Sequence, residues 1–121
     1  MRLLLADRKR HVREFLKREL EKEGYAVVLA STAQEILTYL ASGERPALLI
    51  LDLEVPFVFE ADLLTQLHTF YPTLPILIHS FPPDNPQVLT TCQPAVFLEK
   101  NEDPGQLKAQ VLAMLQRVPA Q

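Results

Sequence analysis

The sequence has few of the features that mark secreted or membrane-spanning proteins. Cys92 is the only cysteine among the 121 residues, so no disulfide can form within the chain and a reducing compartment is expected. No apolar run approaches the length that crosses a bilayer. The opening apolar run at residues 3–5 is too short for the core of a signal peptide. The sequence therefore predicts a cytoplasmic protein that does not enter a membrane.

A strong net charge is also lacking. The formal net charge is −3, so direct binding to nucleic acid or to an anionic membrane is not expected. The basic residues are nevertheless concentrated near the N-terminus: Arg2, Arg8, Lys9, Arg10, Arg13, Lys17 and Arg18. Such a cluster is usually the solvated face of a helix.

Internal repeats, low-complexity tracts and linker-like segments are absent too. Hydrophobic residues make up 48 % of the chain and charged residues 22 %, which is the composition of a globular protein. A chain of this length can bury one core. We therefore predict a single domain over residues 1–121, with its core at roughly residues 2–118.

Strand-like and helix-like segments alternate along the chain. Short apolar or β-branched runs predict strands at residues 3–6, 25–30, 47–51, 75–78 and 96–98. Apolar residues at helical spacing follow the first, second, third and fifth of these runs, the last reaching Val118. The proline-rich segment 81–94 leaves room for only a short helix, over residues 87–92. Strands that alternate with helices imply an α/β fold with a parallel sheet and helices on both faces.

Two helix starts carry recognisable capping signals. Thr32 is followed three residues later by Glu35, which is the pattern of a capping box. Asp103 is followed by Pro104, and proline is favoured in the first turn of a helix.

Four chemically capable side chains come at or just after the ends of four predicted strands: Asp7, Asp52, Ser80 and Lys100. In open parallel sheets the ligand site lies beyond the carboxyl ends of the strands. We therefore expect these four side chains to converge at one edge of the sheet.

Two carboxylates, a hydroxyl and an ammonium group form a set that suits phosphoryl transfer. Two close carboxylates repel each other, and Mg²⁺, which prefers oxygen ligands, relieves that repulsion. The ammonium can neutralise a phosphate and the hydroxyl can hydrogen-bond to it. One carboxylate can then attack phosphorus to give an acyl phosphate, because in-line positioning and charge neutralisation supply most of what this reaction needs.

The chain resembles the receiver domain of two-component response regulators over nearly its whole length. Four motifs in register carry the resemblance: LLLADR at 3–8, LLILDLEVP at 48–56, LPILIHS at 74–80 and VFLEK at 96–100. The resemblance implies a flavodoxin-like, doubly wound sheet of five parallel strands in the order 2-1-3-4-5. It also implies a protein that accepts a phosphoryl group from a histidine kinase or phosphotransferase protein and then changes its binding to a downstream effector domain or protein.

The resemblance also implies a role for each residue at the sheet edge. Asp52 would be the phosphoacceptor, and Asp7, Asp52 and the backbone carbonyl of Glu54 would bind Mg²⁺. The phosphate-binding lysine, the switch hydroxyl and the aromatic switch residue would be Lys100, Ser80 and Phe97. Magnesium-dependent self-phosphorylation and dephosphorylation would be the only reactions, so an enzyme acting on a separate substrate is not expected.

Several positions depart from the family pattern. Ala6 replaces one member of the usual acidic pair, Phe81 replaces a small residue, and Asn101 replaces a proline. Phe59 and Glu60 stand in place of the usual Asp-Gly. These changes motivate an alternative, a phosphorylation-independent pseudo-receiver that acts as a protein-interaction module. Receiver domains commonly form homodimers. Because the fourth helix is altered here, a homodimer of this chain is left as an open expectation.

Plainer interpretations remain open beside these roles. Asp7 could cap the first helix, Phe97 could be ordinary core, and His79 could be a wall residue of the site. The Asp52–Glu54 pair resembles the nucleophile motif of haloacid-dehalogenase-type phosphatases, but it lies mid-chain and Pro56 stands where that motif has threonine. A flavin-binding flavodoxin is disfavoured because residues 8–10 are basic, where a Ser/Thr/Gly-rich phosphate loop would be needed.

Overall fold

The computed structural model describes residues 1–85, 87 and 95–116. Its strands are β1 (Arg2–Ala6), β2 (Ala26–Ala30), β3 (Leu48–Leu51), β4 (Ile76–Ser80) and β5 (Val96–Glu99). Its helices are α1 (Arg10–Glu21), α2 (Ala33–Ala41), α3 (Leu63–Phe70) and α4 (Pro104–Leu115). The short helix predicted over residues 87–92 lies outside the described residues apart from Gln87, and so do Cys92 and Val118.

The five strands form one parallel sheet in the order β2-β1-β3-β4-β5. The predicted flavodoxin-like topology is therefore confirmed. The chain reverses its winding direction at β1 and β3, which are neighbours in the sheet. A crevice opens at such a point beyond the carboxyl ends of the two strands, and it is where the residues after β1 and β3 meet.

The sheet separates two apolar clusters, and alternate residues of β1 contribute to each. Leu4 and Ala6 pack on the side of α2 and α3, whereas Leu3 and Leu5 pack on the side of α1 and α4. Burial of both faces explains why the β1 and β3 segments are continuous apolar runs.

Both predicted helix caps are present. The Oγ1 atom of Thr32 accepts a hydrogen bond of 3.1 Å from the backbone N–H of Glu35 at the start of α2. Asp103 accepts a hydrogen bond of 2.8 Å from the backbone N–H of Gly105 at the start of α4. Each cap satisfies a donor that a helix N-terminus leaves without a partner.

Strand β4 is longer than the sequence predicts. It continues to Ser80 because His79 and Ser80 pair with Leu98 and Glu99 of β5. Polar residues at a strand end carry little local signal, so the neighbouring strand decides this boundary. Across residues 1–85 and 95–116, no helix has both the length and the apolar character needed to cross a bilayer.

Candidate functional site

The structure brings the four expected side chains together at the carboxyl edge of the sheet. The Nζ atom of Lys100 lies 2.7 Å from Oδ2 of Asp7 and 3.1 Å from Oδ2 of Asp52. The hydroxyl of Ser80 donates a hydrogen bond of 3.0 Å to Oδ1 of Asp52. Lys100 therefore bridges the two carboxylates.

Backbone hydrogen bonds fix the position of Asp52. Its N–H donates to the carbonyl of Ala6 at 3.0 Å, which ties the end of β3 to the end of β1. The N–H of Glu54 donates to Oδ1 of Asp52 at 3.0 Å. The N–H of Leu53 donates to the hydroxyl oxygen of Ser80 at 3.3 Å. The carboxylate is thus held by Ser80 at the end of β4, by Lys100 just after β5 and by the N–H of Glu54 in its own loop.

The site is almost closed to solvent. Asp7 is 1 % exposed and Asp52 2 % exposed, and a buried carboxylate is tolerated only when it is paired and hydrogen-bonded. Burial alone would lower the pKa of Lys100, but hydrogen bonds and charge attraction from Asp7 and Asp52 outweigh burial and raise that pKa above its usual value. The ammonium therefore stays charged at neutral pH, and its stabilising contribution is lost only as the pH rises through the raised pKa. Two carboxylates against one ammonium leave the site with an excess negative charge.

Arg13 holds the loop that carries Asp7. Its guanidinium donates to the backbone carbonyl of Asp7 at 2.8 Å and to that of Arg8 at 3.1 Å. The N-cap residue of α1 is Lys9, whose side chain forms no capping hydrogen bond. The backbone N–H of Lys9 donates a hydrogen bond of 2.9 Å to Oδ1 of Asp7. The interpretation of Asp7 as the helix cap is therefore wrong. The sequence placed Arg13 only in the N-terminal basic cluster, because no local pattern indicates which backbone carbonyls its guanidinium reaches.

Glu54 contributes two further features to the site. Its side chain lies 3.7 Å from the guanidinium of Arg8, with both side chains half-exposed. Its backbone carbonyl accepts no hydrogen bond from any residue that the structure describes. Across those residues, no group of three or more acidic, histidine or cysteine side chains is arranged around a metal position.

Comparison with known proteins identifies the family. A sequence model of the response regulator receiver domain matches residues 3–112. The chain belongs to this family. The response regulator MprA of Mycobacterium avium is 41 % identical over 78 residues, a match that covers 64 % of this chain and 34 % of that relative. The matched region is thus about a third of the relative's length.

Solved receiver domains share the fold. Response regulator TrrA from Thermotoga maritima, solved in complex with Mg²⁺–BeF, has a TM-score of 0.82 at 24 % identity and covers 93 % of this chain and 97 % of that one. The receiver domain of the Francisella response regulator 1452 has a TM-score of 0.79 at 22 % identity, with 96 % and 97 % covered. At these identities the likeness establishes the receiver fold and nothing finer.

The positions that depart from the receiver pattern have defined surroundings. Phe81 is 54 % exposed, and its ring centre lies 5.8 Å from Nζ of Lys100, within reach of a cation–π interaction. Asn101 donates to Gln106 at 2.7 Å and accepts from the N–H of Asp103 at 2.8 Å. Asn101 therefore organises the turn into α4 through hydrogen bonds, in the place where receivers usually have proline.

Phe97 and His79 lie on opposite faces of the sheet. Phe97 is half-buried and packs against the α2–α3 cluster, opposite Ile78 in the register. Its role as a switch residue stays a prediction. His79 is 7 % exposed. The pKa of His79 is lowered to about 4, chiefly by burial and also by the nearby charge of Lys100. The carboxylates of Asp7 and Asp52 oppose this shift.

This depressed pKa predicts a loss of stability in acid. The unfolded chain takes up a proton on His79 near its ordinary pKa of 6.5, whereas the folded protein takes it up only near 4. Stability is therefore expected to fall by up to about 3 kcal/mol as the pH drops through this interval. Urea unfolding should show that His79→Gln loses less stability than wild type over this pH interval. His11→Gln, which changes an exposed histidine, is the control and should behave like wild type. Equal pH slopes for wild type and His79→Gln would contradict the prediction.

Proposed function

We propose that Asp52 accepts a phosphoryl group from a phosphohistidine of a histidine kinase or phosphotransferase protein. The observation that carries this proposal is a buried carboxylate whose two oxygens contact an ammonium, Lys100, and a hydroxyl, Ser80. This is the environment in which a carboxylate oxygen can attack phosphorus while the charge on the phosphoryl oxygens is neutralised. Neither the geometry nor the comparisons favour the pseudo-receiver alternative.

Phosphoryl transfer to Asp52 forms one bond to phosphorus and breaks another. A carboxylate oxygen of Asp52 forms a bond to phosphorus, and the bond between phosphorus and the donor imidazole nitrogen breaks. The electron pair leaves with that nitrogen, and an acyl phosphate forms on Asp52. Lys100 then pairs with a phosphoryl oxygen. Attack of water on phosphorus later releases inorganic phosphate and restores the carboxylate, so no separate substrate is turned over.

The donor set fits magnesium. The carboxylates of Asp7 and Asp52 and the unengaged carbonyl of Glu54 are the hard oxygen ligands that Mg²⁺ prefers. When bound there, the ion would neutralise part of the negative charge at the reacting oxygens. The complex of TrrA with Mg²⁺–BeF supports the same chemistry in a protein of this fold. Since Lys100 already contacts both carboxylates, its ammonium would compete with the ion for them.

Ser80 is the residue that would report the phosphoryl group to the rest of the domain. Its hydroxyl now joins Asp52 to the N–H of Leu53. A phosphoryl oxygen would be a more strongly charged acceptor, so Ser80 would turn toward it. Phe97, on the neighbouring strand, would then repack and alter the surface that a downstream effector domain or protein binds. A cytoplasmic location, a homodimer and the absence of direct nucleic-acid contact belong to this proposal.

A phosphodonor experiment tests the proposal. The full chain is incubated with Mg²⁺ and phosphoramidate or acetyl phosphate, and its intact mass is measured. We expect the mass of wild type to increase by one phosphoryl group and the mass of Asp52→Ala to stay unchanged. Asp84→Ala, which removes an exposed aspartate, is the matched control and should gain the same mass as wild type. An adduct that persists in Asp52→Ala, or its absence from wild type with these donors and with a cognate kinase, would refute phosphorylation at Asp52.

A further inference from the structure

An ion pair between Arg8 and Glu54 borders the solvent side of the phosphoacceptor site. Arg8 directly follows Asp7 in the loop after β1, and Glu54 lies two residues beyond Asp52 in the loop after β3. The guanidinium and the carboxylate are 3.7 Å apart, and both side chains are half-exposed. The side chain of Lys100, in contrast, is only 10 % exposed. The ion pair therefore spans the crevice between the two loops on its open side, and Lys100 lies on its buried side.

Backbone hydrogen bonds hold Arg8 and Glu54 in place, whereas their side chains are only loosely paired. The carbonyl of Arg8 accepts a hydrogen bond of 3.1 Å from the guanidinium of Arg13. The N–H of Glu54 donates to Oδ1 of Asp52 at 3.0 Å. A separation of 3.7 Å between the charged groups is longer than a hydrogen bond, and exposed ion pairs are weak. The guanidinium can therefore leave Glu54 at little cost while its backbone stays beside the site.

A phosphoryl group on Asp52 needs one more partner than the buried side of the site supplies. Such a group carries three charged oxygens. Lys100 and Ser80, which contact the two carboxylate oxygens of Asp52, can each take one of them. The third oxygen is left for a group on the open side of the crevice. A guanidinium matches the geometry of phosphate and can donate two parallel hydrogen bonds to it, so Arg8 is well suited to that oxygen.

We propose that Arg8 is a catalytic residue for phosphoryl transfer to Asp52, and that its guanidinium exchanges Glu54 for the third phosphoryl oxygen. This proposal rests on the proposed phosphorylation of Asp52. Arg8 keeps its proton and forms only hydrogen bonds. The bond from Asp52 to phosphorus forms as the bond from phosphorus to the donor nitrogen breaks, and the electron pair leaves with that nitrogen. Because this second cation belongs to the chain itself, phosphorylation should proceed at a measurable rate without a divalent ion.

The first experiment follows the intact mass of the full chain over time with phosphoramidate, either in Mg²⁺ or in EDTA. We expect wild type to be phosphorylated under both conditions. Arg8→Met should react about 10²-fold more slowly in EDTA, the usual effect of losing one charge-stabilising donor. Arg8→Lys keeps the charge but not the paired donors, so it should recover part of the rate. Arg10→Met is the matched control, because Arg10 pairs with Glu14 at 3.1 Å on the exposed surface of α1. It should react like wild type.

The second experiment measures Mg²⁺ affinity from the amide shifts of Asp52 and Glu54 in the ¹⁵N-labelled chain. Arg8→Met removes a cation beside the site, so it should bind Mg²⁺ about 5-fold more tightly, a change that a purely structural role would not produce. Urea unfolding verifies that each variant is folded. Arg10→Met should keep the Mg²⁺ affinity of wild type.

Several results would overturn the role of Arg8 and leave phosphorylation of Asp52 standing. They are reaction of wild type only in Mg²⁺, equal rates for Arg8→Met and wild type in EDTA, equal losses in Arg8→Met and Arg10→Met, or an unchanged Mg²⁺ affinity in Arg8→Met. An absence of the adduct from wild type under both conditions would instead overturn the proposed function and the role of Arg8 together.

Discussion

Replacing Lys100 with methionine is expected to lower the free energy of unfolding by about 3–5 kcal/mol, the usual cost of removing one partner from a buried ion pair. The reason is that Lys100 is the cation that contacts both Asp7 and Asp52. Without it, two carboxylates that are 1 % and 2 % exposed would stay buried without an opposite charge in contact. Methionine fills a similar volume, so loss of packing contributes little.

The same substitution is expected to slow phosphorylation of Asp52 by about 10²-fold or more, as when an enzyme loses one charge-stabilising donor. Stability is measured by urea unfolding, and phosphorylation by the time course of the intact mass with a small phosphodonor. The two effects are separable, because phosphorylation is followed under conditions in which the variant is folded.

Lys108→Met is the matched control for Lys100→Met. Lys108 also faces two carboxylates, Glu19 at 3.0 Å and Glu23 at 3.6 Å, but on the surface between α1 and α4. These side chains are more exposed than those of Asp7 and Asp52, so we expect Lys108→Met to cost much less stability than Lys100→Met, and none of these groups touches Asp52. If the two lysine variants lose the same stability and phosphorylate equally fast, the central charge role of Lys100 is wrong.

Replacing Ala6 with aspartate is expected to make the stability of the domain depend on magnesium. Ala6 is 1 % exposed at the end of β1, beside the two acids of the site. A third carboxylate there adds an uncompensated buried charge, so we expect a loss of about 3 kcal/mol in the presence of a chelator. The same charge should strengthen Mg²⁺ binding by about 10-fold or more, because a charge a few ångströms from a divalent ion interacts strongly in a partly buried site.

Unfolding of Ala6→Asp is therefore measured with and without Mg²⁺, since an ion that binds only the folded state raises stability by mass action. Ala33→Asp serves as the control, because Ala33 is buried in the same apolar cluster but lies on α2 rather than at the end of β1. Ala33→Asp should be destabilised to a similar degree, and Mg²⁺ should raise its stability no more than it raises that of wild type. A folded Ala6→Asp protein whose Mg²⁺ affinity equals that of wild type would contradict the prediction that a carboxylate at this position contributes to the magnesium site.

Much of the fold was predictable because its signals are local. Continuous apolar runs mark strands that are buried on both faces, and the capping residues Thr32 and Asp103 mark helix starts by their own hydrogen bonds. The positions of Asp7 and Asp52 after β1 and β3 were enough to place both at one edge of a parallel sheet. Spacing along the chain and the rule for open α/β sheets therefore determined the fold class and the set of residues at the site.

Contacts between distant residues were decided only by the tertiary structure. The sequence supplied Lys100 and both carboxylates but not the bridge in which one ammonium contacts both of them. It also gave no sign that Arg13 holds the loop of Asp7. The burial of His79 likewise depends on how α1 and α4 pack against the sheet. The physical reason is that hydrogen-bond distances, burial and charge pairing depend on which residues meet across the fold, and local patterning does not encode those distances.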